Sequence, residues 1–324
     1  MKFLIVGTNF ISDMLCEAIE LTEGAEAFAV YSRKRESGEK FAARHNIKRV
    51  YSGYSEALSD DEIDAVYVAS PIYKHCEQSI AAMRAGKHVL CEKMMAATLD
   101  EFYMMKDASK KYGKVLLEAM RPSHDPAMKL IKDSLPLIGE IKCAHLEFSK
   151  YSSRYDSFKN GVVLNAFDPS IKNSAISDIG IYPLQYAIEL FGMPDDISGE
   201  SKILSNGFEG EGYVDLYYGD TQVRVVYSKI RDNDAFSYIE GTNGKILIDK
   251  TSAPTKIFVE DNAADRRVLD YTPASNNMVH ELSAFIEMCR GERSHEQFLR
   301  YTEMTEIIVD RVYTDRAIKK HFNT

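Results

Sequence analysis

Up to about Glu118 the chain alternates short apolar runs with longer amphipathic ones. The runs Phe3–Val6, Ala27–Tyr31, Ala65–Ala69, His88–Cys91 and Val115–Leu117 read as buried parallel strands. Between them, Glu77–Ala85 and Leu99–Tyr112 repeat apolar residues at helical spacing. Strand–helix alternation predicts a parallel sheet doubly wound with helices. After Arg121 the pattern changes. Cys143–Ser149, Gly212–Tyr218, Gln222–Ser228, Phe236–Glu240, Lys245–Asp249 and Lys256–Glu260 read as strands separated by turn signals. Gly241-Thr242-Asn243-Gly244 is a hairpin signal. Strands in such succession predict a largely antiparallel sheet, and helical patterns return only at Met278–Arg290 and Tyr301–Lys319. The expected architecture is therefore α/β in two domains, 1–122 and 123–324, the second α+β with a large open sheet. A chain of 324 residues is long enough for two cores.

Composition narrows the classes. A hydrophobic fraction of 45% supports packed cores, and a net charge of -9 argues against nucleic acid as a partner. The five cysteines are scattered with no C-x-x-C pair, so neither a disulfide framework nor a zinc or other metal site is expected. The apolar run after Lys2 stops at Thr8 and Asn9, too short for a secretory signal, and no run approaches membrane-spanning length. A soluble, cytoplasmic protein with no membrane partner is the expectation.

The first candidate chemistry lies in LIVGTNFIS, Leu4 to Ser12. A dinucleotide turn usually reads G-x-G-x-x-G. Here Gly7 stands with Asn9 and Ser12 at the other two places. Ile11, Met14, Leu15, Ala18 and Ile19 then fall on one helical face, and Asn9 or Thr8 can cap that helix. The positive end of the helix dipole attracts phosphate there. Gly7, Thr8, Asn9, Phe10 and Ile11 are thus the candidate phosphate turn, with a plain strand–helix turn as the competing reading. The next strand ends in Tyr31-Ser32-Arg33-Lys34-Arg35, with no acid before Glu36. An NAD site would place an acid there for the ribose diol. Ser32 and Arg33 instead suit a 2′-phosphate, which favours NADP over NAD. The alternative is an exposed basic run at a helix start.

Three further stretches carry a resemblance: Ser70-Pro71-Ile72-Tyr73-Lys74-His75, Cys91-Glu92-Lys93-Met94, and Ser177-Asp178-Ile179-Gly180-Ile181-Tyr182-Pro183-Leu184-Gln185. In this order they resemble the glucose–fructose oxidoreductase, inositol dehydrogenase and rhizopine-catabolism family, Gfo/Idh/MocA. Gly139-Glu140-Ile141, Glu240–Lys245 and His280-Glu281-Leu282 extend the resemblance over nearly the whole chain. Tyr182 is similar to the dihydrodiol dehydrogenase and glucose–fructose oxidoreductase branch, whereas inositol dehydrogenases carry His at that position. The resemblance implies a Rossmann domain, and a second domain whose open sheet often forms an oligomer interface. It also implies a homodimer or higher homo-oligomer, and an NAD(P)-dependent oxidoreductase for sugars, polyols or diols. It matches Lys93 to the lysine of an E-K-P motif and His75 to the end of T-P-x-x-x-H. Asp178 and Tyr182 match the acid and the His/Tyr of the second-domain motif. Ser70, Pro71, His75, Glu92 and Lys93 are the implied cofactor-side contacts, and Arg121, just past the last Rossmann strand, joins them if the domain boundary is right. The chain departs from the pattern at Met94 in place of proline, Ile72 in place of a common Asn, and Asn173-Ser174 in place of a glycine pair.

Oxidising an alcohol needs a base for the hydroxyl proton, and the reverse needs an acid for the carbonyl oxygen. Lys93 can serve, Tyr182 can share the proton transfer, and Asp178 can orient a substrate hydroxyl. Each also has a plainer reading: a solvated strand end, a core tyrosine and a helix cap. Two other functions stand beside the oxidoreductase, a non-catalytic nucleotide-binding regulator and an NAD-dependent glycosidase.

Overall fold

In the computed structural model, which describes residues 1–322, the N-terminal apolar runs form a six-stranded sheet. The elements alternate as β1 (Lys2–Val6), α1 (Phe10–Glu20), β2 (Glu26–Tyr31), α2 (Arg35–Arg44), β3 (Arg49–Tyr51), α3 (Tyr54–Leu58), β4 (Ala65–Val68), α4 (His75–Arg84), β5 (His88–Glu92), α5 (Leu99–Tyr112) and β6 (Leu116–Ala119). Strand order is β3-β2-β1-β4-β5-β6, with every pair parallel. This is the Rossmann order, and the order of strands reverses between β1 and β4, where ligands bind at the carboxyl ends of the strands. Successive strand residues feed two cores: Phe3, Ile5 and Tyr67 enter one, Leu4, Val6, Val66 and Val68 the other. That is why these runs lack alternation. The edge strand β3 was not legible, being three half-buried residues headed by Arg49.

The chain divides into two compact units: Met1–Arg121 with Ala274–Arg300, and Pro122–Pro273 with the chain from Tyr301 onward. The expected second domain, unbroken over 123–324, is corrected on this point. The helix Met278–Cys289 belongs to the first unit, because Met278, Leu282 and Phe285 complete the core beside β1. The Phe285 and Phe3 rings lie 6.0 Å apart, and Asn276 Nδ2 donates to the Met14 carbonyl at 2.8 Å.

The second unit holds an eight-stranded sheet. Its strands are β7 (Ile141–Ser149), β8 (Asp196–Ile203), β9 (Glu209–Tyr218), β10 (Thr221–Ser228), β11 (Ser237–Gly241), β12 (Gly244–Ile248), β13 (Ile257–Asp261) and β14 (Arg266–Val268). They are ordered β14-β13-β12-β11-β7-β10-β9-β8, antiparallel throughout except β7 beside β10. The Gly241–Gly244 hairpin is present, with Glu240 opposite Lys245. The edge strands β8 and β14 were not anticipated; both are mostly exposed. The helix Ile181–Phe191 packs on β7 and β10, over the buried Leu146, Val223, Val225 and Tyr227. Tyr213, Tyr217 and Tyr218 are only half-buried. All five cysteines are free thiols, and among the described residues no helix is long and apolar enough to cross a membrane.

Candidate active site

The turn after β1 is built around one glycine and one amide. Gly7 has φ +108°, and a Cβ there would stand 2.7 Å from the Ala69 carbonyl oxygen at the end of β4. No side chain fits in that gap. Asn9, in place of the second glycine, has ordinary extended backbone and is the N-cap of α1. Its Oδ1 accepts from the Ile11 and Ser12 N–H groups at 3.2 and 3.3 Å. Its Nδ2 donates to the Ala69 carbonyl at 2.8 Å. The amide thus caps the helix and ties the turn to β4 at once. Ser12 is fully buried where the third glycine would stand. The cap takes two of the N–H groups that a phosphate would otherwise meet, leaving those of Thr8, Asn9 and Phe10 without a protein acceptor among the described residues. Phe10 is 74% exposed at the head of the helix.

Ser32 follows β2, its N–H donating to the Tyr51 carbonyl at 3.1 Å, and Arg33 beside it is exposed. After β4, Ser70 Oγ donates to Gln78 Oε1 at 2.5 Å, and Pro71 is exposed. His75 and Glu92, expected on the cofactor side, instead turn inward. His75 is 2% exposed, with Nε2 2.8 Å from the Ser70 carbonyl and Nδ1 3.0 Å from the Met94 carbonyl. Burial lowers its pKa, so the ring is neutral, and its two bonds brace the loops after β4 and β5. Glu92 Oε1 accepts from the Tyr67 hydroxyl at 2.5 Å, and its Oε2 accepts from the Lys93 N–H at 3.3 Å.

Lys93 is partly exposed just beyond β5, in a turn whose Lys93–Met94 peptide is cis. Burial raises the Glu92 pKa, and the Lys93 ammonium opposes that rise most strongly. Glu118 Oε1 accepts from the Met95 N–H at 2.9 Å, and Arg121 donates to Asn277 Oδ1 at 3.3 Å. Glu281, from the helix Met278–Cys289, joins this group and was not anticipated as a site residue. Its side chain is fully buried, and neither carboxyl oxygen has a hydrogen-bond partner. Burial, then the Glu92 charge, pushes its pKa well above the usual carboxyl range. The buried carboxyl therefore holds its proton to higher pH than an ordinary glutamate does.

In the second unit, Asp178 lies in a π-helical turn, Ile176–Gly180, that runs directly into the helix carrying Tyr182. Gly180 makes this possible: a Cβ there would meet the Tyr227 ring at 2.8 Å. Glu209 anchors the turn from β9, its Oε2 accepting from the Ile176 N–H at 3.2 Å while Oε1 accepts from the Tyr227 hydroxyl at 2.6 Å. Asp178 and Tyr182 are four residues apart and share a helical face. Tyr182 is 6% exposed, with its ring edge-on to Phe148 at 5.7 Å. Lys229 Nζ meets Asp178 Oδ2 at 2.7 Å, a partner invisible in the sequence because it follows a strand like any solvated lysine.

Comparison with known proteins bears on the family and the fold. A family model, Gfo/Idh/MocA, described as an oxidoreductase family with an NAD-binding Rossmann fold, matches residues 1–120. The chain is 38% identical over 295 residues to the scyllo-inositol 2-dehydrogenase (NADP(+)) IolU of Bacillus subtilis, covering 90% of this chain and 89% of the relative. It is 29% identical over 266 residues to a trans-1,2-dihydrobenzene-1,2-diol dehydrogenase of Mus musculus, covering 80% and 78%. In fold it matches KijD10, a 3-ketoreductase from Actinomadura kijaniata solved with NADP and TDP-benzene, with TM-score 0.85, 21% identity and 97% of each chain covered.

Proposed function

The chain belongs to the Gfo/Idh/MocA family and is an NAD(P)-dependent oxidoreductase acting on CH–OH groups; from that premise we propose NADP(H) as its preferred cofactor and a polyol, sugar or related diol as its substrate. The observation that carries the cofactor reading is Ser32-Arg33 after β2, with no acid before Glu36. The exposed guanidinium pairs with a 2′-phosphate, where a ribose diol would ask for a carboxylate. The cradle also fits a dinucleotide. Gly7 leaves the space that a Cβ would fill, and the Thr8–Phe10 N–H groups are open to a pyrophosphate. When bound, the nicotinamide supplies the hydride acceptor or donor.

The protein's own part is proton transfer and orientation. As the free amine, Lys93 Nζ takes the hydroxyl proton in oxidation and becomes the ammonium; as the ammonium it gives one to the carbonyl oxygen in reduction. Tyr182 shares that transfer through its hydroxyl. Asp178 accepts a hydrogen bond from the substrate and fixes its orientation. A polyol matches such a site because each hydroxyl can donate to a carboxylate. The half-buried sheet face bearing Tyr213, Tyr217 and Arg224 supports a subunit interface, which light scattering at micromolar concentration checks; a monomer rules it out.

A panel of inositol epimers, aldoses and trans-dihydrodiols with NADP+ and NADPH, followed by nicotinamide absorbance, tests the function. Turnover with NADP+ on a polyol is expected. No turnover on any member refutes the substrate class, and release of the aglycone from a nitrophenyl glycoside added to the panel, with no net change in nicotinamide absorbance, would replace the reading with the glycosidase one.

A further inference from the structure

The Asp178 carboxylate has a partner that nothing in the motif assigns. Lys229 directly follows β10, and its side chain is 4% exposed while that of Asp178 is 38% exposed. Its Nζ lies 2.7 Å from Asp178 Oδ2 and donates to the Ala166 carbonyl at 2.6 Å. The rings of Phe167 and Phe208 stand 5.0 and 5.1 Å from the same nitrogen. The backbone is held on both sides: the Lys229 N–H donates to the Gly210 carbonyl at 2.9 Å, and its carbonyl accepts from Ser152 at 3.0 Å. A buried ammonium is costly unless paired and hydrogen-bonded, and here carboxylate, carbonyl and ring faces all meet it. The cation is therefore fixed, and the more exposed carboxylate is the group it can aim.

We propose that Lys229 is a positioning residue for the reaction: its ammonium sets the orientation of the Asp178 carboxylate and thereby fixes which hydroxyl of a polyol is presented for oxidation. This rests on the reading of Asp178 as the substrate-orienting acid. A stereochemical consequence follows. A carboxylate held in one direction discriminates between ring epimers, because axial and equatorial hydroxyls donate along different lines. One held loosely accepts both.

The test is a double-variant cycle on the best polyol of the panel, with melting temperature and NADPH affinity measured alongside. Lys229→Met keeps the stem between the two rings and removes the charge. It is expected to lower kcat/KM roughly 10- to 100-fold, as for a lost charged hydrogen bond. NADPH affinity should hold, and the kcat/KM ratio between two inositol epimers should fall toward one. In an Asp178→Asn background the same change is expected to add no more than about twofold, since the two residues act as one. Lys229→Arg, which retains the charge, should recover most of the loss. Multiplicative losses in the double variant, with Arg no better than Met, overturn the proposal and leave the oxidoreductase standing. An Asp178→Asn enzyme as active as wild type removes the acid's role and this proposal with it. A wild type that turns over no member of the panel brings down the substrate reading as well. If Lys229→Met does not fold, Lys229→Gln, which can still donate to Ala166, carries the same cycle.

Discussion

The phosphate turn of the first unit and the Asp178 turn of the second treat polar groups in opposite ways. In the first, groups are held short of protein partners: Arg33 is exposed, the Thr8–Phe10 N–H groups meet no protein acceptor among the described residues, and Glu281 is buried with neither oxygen bonded. In the second, the charges around the Asp178 turn and on β9 are matched inside the protein. Asp178 meets Lys229, Glu209 meets Tyr227 and the Ile176 N–H, and Asp215 accepts from Arg224 at 2.7 Å through both oxygens. A cofactor turn cannot satisfy its own donors and still bind a pyrophosphate. A substrate-orienting acid has the reverse need, since a carboxylate that swings cannot select a hydroxyl. Open donors mark the phosphate turn, and paired charge marks the turn that carries Asp178.

The largest expected effect breaks this contrast at its most active cation. Lys93→Ala should lower kcat by about 10²–10⁴-fold, the usual contribution of general acid–base catalysis, with NADPH affinity largely kept. Lys93→Met should be nearly as damaging, because it keeps length and loses charge. Tyr182→Phe should cost less if Tyr182 assists, and as much if it is the direct acid. Steady-state kinetics on the panel substrate decide, and a Lys93→Ala enzyme of near-normal kcat removes the role. Losing the ammonium should also raise the Glu92 pKa further, since Lys93 is the strongest influence holding it down.

Next in size is Arg33→Ala. If the exposed guanidinium awaits a 2′-phosphate, calorimetry should show NADPH binding weakened by about 10- to 100-fold, a few kcal/mol, while NADH changes little. Equal losses for both cofactors would mean that Arg33 does not read the 2′-phosphate.

Glu281 gives a stability effect with a definite sign. Its folded pKa lies above the ordinary 4.5, so the stability it contributes is complete below that value and is lost as pH rises toward the folded pKa. Glu281→Gln keeps the shape and cannot ionise. It should match wild type near pH 4 and gain on it above about pH 5, by up to about 1.4 kcal/mol per pH unit. Denaturant melts across that range test this. Parallel curves would show that the acid ionises in the fold with a compensating partner.

What could be read from the sequence follows the same division. Strands β1, β4 and β5 were legible because both faces are buried, which leaves an unbroken apolar run. Strands β3, β8 and β14 were not, because edge strands with exposed charge carry no such signal. Ala274–Arg300 could not be assigned to its unit, since an amphipathic helix shows that it has a face to bury and not which core receives it. Gly7 and Lys93 stood out by motif order. Lys229 and Glu281 did not, because burial of a lone charge is decided by chain segments far away: β9 and the Ala166 turn for one, β5 and β6 for the other. His75 and Glu92 were placed by motif on the cofactor side, yet their side chains point inward to brace the loops that the motif marks.

The smallest effect concerns Asn9, where protein pairing intrudes on the cofactor turn. Its side chain caps α1 and holds the Ala69 carbonyl, so Asn9→Ala loses a helix cap and a tertiary hydrogen bond together, about 1–2 kcal/mol in all. Asn9→Gly separates the two. Glycine is nearly as good a cap residue, costing a few tenths of a kcal/mol, so most of its loss, about 1 kcal/mol, should come from the Ala69 bond. It also restores the second glycine of the usual turn and with it bare backbone toward the pyrophosphate. If Asn9 serves the protein alone, Asn9→Gly should lower the melting temperature slightly and leave NADPH affinity unchanged or a little tighter. A tenfold weaker NADPH affinity at unchanged fold would mean that the amide turns from Ala69 to the cofactor on binding, and that this residue belongs with the waiting groups rather than the paired ones.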